Sequence, residues 1–88
     1  MPGLVGMNVE QVKSVSKQVE QGAQKLRTDI TAIGAKITAA EWKGSDREKF
    51  VADWNQHKSQ VLKVCDLLSQ TAKTMTTNAT QQEQTSSR

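Results

Sequence analysis

Tyrosine is absent from this chain, and proline, cysteine and histidine occur once each. The lone cysteine, Cys65, has no partner for an internal disulfide, and with the lone histidine, His57, it is too little to assemble a zinc cluster. The one proline, Pro2, lies at the start, so nothing in the interior breaks a helix. Aromatic residues make up 3% of the chain, as Trp42, Phe50 and Trp54. This composition favours an all-α fold. No apolar run approaches the ~18 residues that mark a membrane span, and no basic start leads into an apolar stretch, so neither a membrane segment nor a conventional signal peptide is indicated. Charge of one sign is not in clear excess either: 12 Lys and Arg face 9 Asp and Glu. The charges are interspersed, which reads as a solvated helix surface and not as a nucleic-acid interface, where basic residues cluster on one side.

What is present is organised around Glu41-Trp42-Lys43-Gly44-Ser45, near the midpoint of 88 residues. Trp42 closes a first helix. Gly44 supplies the left-handed conformation that ends many helices, because it has no Cβ to clash. Ser45 caps the next helix, with Glu48 three residues on completing a capping box. The sequence therefore predicts a helix-turn-helix hairpin: a helix over 8–42, a turn over 43–45 and a helix over 46–78. A flexible lead-in over 1–7 precedes it. A disordered tail over 79–88 follows, since that stretch lacks the apolar residues to offset ordering entropy. At the front, Asn8 as N-cap, Gln11 three residues later and Met7 facing Val12 reproduce a capping box with a hydrophobic staple.

Both arms carry apolar residues spaced by threes and fours. In the first these are Val12, Val15, Val19, Ala23, Leu26, Ile30, Ile33, Ile37 and Ala40; in the second, Phe50, Trp54, His57, Val61, Val64, Cys65, Leu68, Ala72, Met75 and Ala79. Gly22 and Gly34 sit at the edges of the first stripe and mark close approach of a neighbouring helix. Arms of ~33 residues are about 50 Å long. Two such rods have no third layer to cover their apolar faces, and a core this small seldom supplies more than ~3–5 kcal/mol. The expected solution is a second hairpin packed against the first as a four-helix bundle.

Trp42-x-Gly44 at mid-chain, Phe50 eight residues on, Trp54 four further and periodic arms on either side together resemble the WXG family. These are the Esx-type proteins, similar to the early secreted antigenic target, exported by type VII secretion systems of Actinobacteria and Firmicutes. The resemblance spans about Asn8 to Met75. It implies antiparallel pairing of two hairpins, with a homologous protein or with itself, and secretion in the folded state through a membrane ATPase without a cleaved signal peptide. Trp42, Gly44 and Ser45 then form the turn. Phe50 and Trp54 anchor the start of the second arm in a dimer interface that also takes Val12, Val15, Val19, Leu26, Ile30, Ile33, Ile37, Val61, Cys65 and Leu68. Many members also carry a Tyr-x-x-x-Asp/Glu element after the second helix. This chain has no tyrosine, which assigns it the role of the partner exported with one that has the signal.

No constellation looks catalytic, and no cofactor or metal site is expected. His57 falls on the apolar stripe between Trp54 and Val61 and reads as an interface histidine. Cys65 reads as a small buried thiol, with a symmetric inter-chain disulfide as the alternative. Asp46, Glu48 and Asp53 suit the helix dipole. A cytosolic helical adaptor for a larger toxin would use the same stripe, and differs by staying in the cell.

Overall fold

The computed structural model describes residues 8–42 and 44–86. They form two helices, α1 (Val9–Ala39) and α2 (Ser45–Ser86), laid antiparallel as a rod 67 × 15 × 15 Å. α1 starts where Asn8, in extended conformation, accepts the Gln11 amide on its side-chain oxygen at 3.0 Å. The expected lead-in over 1–7, the Met7 half of the staple and Lys43 of the turn lie outside the described residues.

The turn differs from expectation in three ways. α1 ends at Ala39, not at Trp42; Ala40 leaves the helix with an extended backbone, and the Arg47 guanidinium donates to the Thr38 carbonyl at 3.0 Å, satisfying one of the last acceptors. Leaving early lets Trp42 double back against Phe50, ring centroids 5.3 Å apart and edge to face. Gly44 does not close α1 but opens α2: its φ of 114° turns the chain, and its carbonyl accepts the Arg47 amide. Ser45 is accordingly the first residue of α2 and not the cap before it.

α2 also runs to Ser86, so the disordered tail expected over 79–88 is replaced by helix as far as the described residues go. The reason is contact with the start of α1. Ala79 is fully buried, and Glu83 forms an ion pair with Lys13 at 3.1 Å. Polar residues such as Gln and Glu are good helix formers once a partner is there to order them.

The core is a seam of small residues. Ser16, Ala23 and Gly34 of α1 and Cys65, Ala72 and Ala79 of α2 are the buried positions. On α2 they recur every seventh residue, the period that keeps one seam facing a partner helix. Small side chains bring the two backbones close, and the larger ones are left outside.

Candidate partner-binding face

With Ser16, Ala23, Cys65, Ala72 and Ala79 in the seam, the flanking positions fall into two sets. On one flank α1 presents Lys13, Glu20 and Arg27, spaced by sevens, toward Ser69, Thr76 and Glu83 of α2, with Asp66 just beyond. This edge is polar and cross-linked. Lys13 pairs with Glu83, and Arg27 with Asp66, each at 3.1 Å. Between them the buried Ser16 hydroxyl donates to the Ala72 carbonyl at 2.6 Å and accepts from the Thr76 hydroxyl, which uses the one donor and the acceptor capacity of that group. The Glu20 carboxyl is held below its ordinary pKa, first by the Gln24 amide and second by the Ser69 hydroxyl, which faces it without meeting hydrogen-bond geometry.

The other flank is apolar. On α1 it carries Val12, Val15, Val19, Leu26, Ile30, Ile33 and Ile37, and on α2 Phe50, Trp54, His57, Val61, Val64, Leu68 and Met75. Charge borders both rows: Asp29, ion-paired with Lys25, falls between Leu26 and Ile33 at their outer edge, and Asp53 falls between Phe50 and His57. Of the predicted interface residues, Val12, Val19, Ile30, Ile37, Trp54, Val61 and Leu68 are half-buried, while Val15, Leu26, Ile33 and Phe50 are exposed, the last two at 46%. Val64 and Leu67 are exposed further, at 48% and 60%. Neither was among the predicted interface residues. Val64 was legible as a member of the stripe, whereas Leu67 gave no signal because it lies off it.

Cys65 corrects the prediction. It is 0% exposed inside the hairpin, so a second chain cannot touch it and a symmetric inter-chain disulfide is closed off while the hairpin is intact. Trp54 faces inward as well. A Cβ on Gly34 would come within 2.9 Å of its Nε1, so the indole lies on the glycine, and Nε1 is buried without a hydrogen-bond partner. Gly34 is thus a point of close approach, as expected. At Gly22, by contrast, an added Cβ would meet nothing within 4 Å. Ser16 was missed altogether, since a polar residue gives no stripe signal; its distance of seven from Ala23, matching Cys65-Ala72-Ala79, is the trace that could have found it.

Among the described residues there is no group of three or more His, Cys, Asp or Glu that could hold a metal ion, and no helix long and apolar enough to cross a membrane. The fold is a helical hairpin with a Trp-x-Gly turn at one end and an apolar flank along its length. The chain belongs to the WXG100 family, described as proteins of 100 residues with WXG, which it matches over residues 5–87. That places it among the small Esx-like helical proteins of type VII secretion systems. Comparison with curated proteins and with solved structures returned no match.

Proposed function

We propose that this chain pairs through its apolar flank with a second family hairpin, forming an antiparallel four-helix bundle that is exported folded by a type VII secretion system without a cleaved signal peptide. The observation that carries the reading is the sorting of side chains by size. Small residues fill the seam, and Val15, Leu26, Ile33, Phe50 and Val64 are left facing water. A continuous apolar row of this length exceeds what soluble monomers keep exposed. The interface is the predicted set without Cys65, extended by Val64. Having no tyrosine, the chain lacks a Tyr-x-x-x-Asp/Glu element and travels with a partner that carries one. The secretion ATPase is engaged through that partner, and Trp42, exposed at the turn beside Phe50, lies near the partner's tail and contributes to a composite signal.

The test is to compare wild type with a Leu26→Lys, Val64→Lys variant in the producing cell and in isolation. Both changes lie on exposed positions, so the variant keeps the helical circular dichroism of the hairpin. It is expected to lose the complex with its partner and to stay in the lysate, while wild type reaches the culture medium. A variant that still pairs and is still exported would overturn the interface. Wild type confined to the lysate would favour the adaptor role instead.

A further inference from the structure

We propose that the groove beside Gly34, on the polar edge near the turn, is a binding site for a carboxylate on a short aliphatic stem, with Lys58 and the Trp54 indole as its two donors. The groove opens off the apolar flank, so the site does not depend on the pairing proposed above.

The register places it. Gly34 comes seven residues after Arg27 and continues the row Lys13, Glu20, Arg27, while Asn55 comes fourteen before Ser69 in the row that faces it. Further along these rows each cation meets an acid from the other helix, Lys13 meeting Glu83 and Arg27 meeting Asp66. At Gly34 the row has no side chain to offer. Lys58, half-buried across from it, has no ion pair among the described residues. The result is a groove of 460 Å³ between Gly34 and Lys58, within the ~300–1,000 Å³ of small-ligand sites.

Its chemistry is one-sided. A point one bond out from the Gly34 Cα lies 2.9 Å from Trp54 Nε1 and 3.8 Å from Lys58 Nζ, so two N–H donors border one spot. Nε1 is buried without an acceptor, and no Asp or Glu lines the groove. A carboxylate supplies what is missing: its two oxygens, held on one carbon, can accept from both nitrogens at once, and its charge answers the ammonium. Ala35, Ala39 and the Trp54 ring form the rest of the wall and suit an aliphatic stem behind the carboxylate, whereas a phosphate would turn its remaining oxygens toward them. Nε1 has no exposed surface as the hairpin stands, so a neighbour has to give way to the acceptor. Lys58, on a flexible four-carbon stem beside the same point, is the group that yields.

The test titrates the full chain, labelled with nitrogen-15, and follows the indole N–H resonance of Trp54, the one that persists in Trp42→Phe. Sodium butyrate stands for a free acid and the peptide acetyl-Ala-Glu-Ala-amide for an acidic side chain; sodium chloride at equal ionic strength and butyramide are the blanks. A carboxylate is expected to move the resonance downfield to a plateau. Lys58→Met, which keeps the stem, and Lys58→Gln are each expected to weaken that binding ~10-fold or more, with helical circular dichroism unchanged. Lys73→Met, at an exposed lysine further along the same edge, binds as wild type. Tighter saturation by butyrate points to a free acid as the ligand, and tighter saturation by the peptide to a protein side chain. No shift with either carboxylate would overturn the site. So would a shift that chloride or butyramide reproduces, or one that survives both Lys58 variants, since that is the mark of an adventitious ion only.

Discussion

At the scale of single residues, the hairpin is held by contacts that depend on the absence of side-chain bulk. Gly34 is the sharpest case. Alanine there would place its methyl within 2.9 Å of Trp54 Nε1, on a rigid ring with little freedom to yield. Overpacking costs ~1–3 kcal/mol and alanine recovers ~1 kcal/mol of helix propensity, so Gly34→Ala is expected to lose about 1 kcal/mol net. Urea unfolding followed through Trp54 emission in a Trp42→Phe background checks this; a midpoint raised above wild type, the helix-propensity gain alone, would mean the indole is not seated on the glycine. The polar members of the seam follow the same logic. Ser16 sits where a larger residue would separate the helices, and its hydroxyl is tolerated because both the Ala72 carbonyl and Thr76 satisfy it.

At the scale of the elements, threes and fours in the apolar spacing were enough to read two helices and the bend between them. The ends were not legible to the same degree. Residues 79–86 look polar and low in apolar content, but their order comes from contacts across the hairpin, Ala79 in the seam and Glu83 on Lys13, which no local window contains. The turn begins a few residues before its expected place for a related reason: edge-to-face contact between Trp42 and Phe50 and the Arg47 bond to Thr38 form where α1 stops. Nor did the stripe say which residues face inward. Alanine and cysteine stand in the stripes beside valines and isoleucines with nothing in the spacing to separate them, yet they form the seam while the larger residues border it. A chain ending at Asn78 provides the test. It removes a buried methyl and an exposed ion pair, together ~1–2 kcal/mol, and hydrogen exchange at residues 12–16 is expected to accelerate. Unchanged protection there would mean that the last turns of α2 contribute nothing to α1.

At the scale of the molecule, the uncovered flank determines how copies or partners can add. Face-to-face pairing keeps the length of a rod 67 Å long and thickens its cross-section, whereas end-to-end association would come near to doubling the length. Small-angle scattering of the purified complex separates these directly. The expected result is a maximum dimension close to that of the single hairpin with a larger cross-sectional radius of gyration, and a clear increase in length would refute lateral pairing.

The enclosure of Cys65 turns the chain's one thiol into a clock. It is the only such group in the sequence and has no exposed surface while α1 and α2 are together. A thiol reagent added to the native protein can therefore react only during the moments when the helices part. Where reclosing outpaces the chemistry, the labelling rate reports the free energy of that opening, without any probe being introduced. Followed with and without a bound hairpin, the same single rate reads how far association on the outer flank suppresses separation of the inner seam.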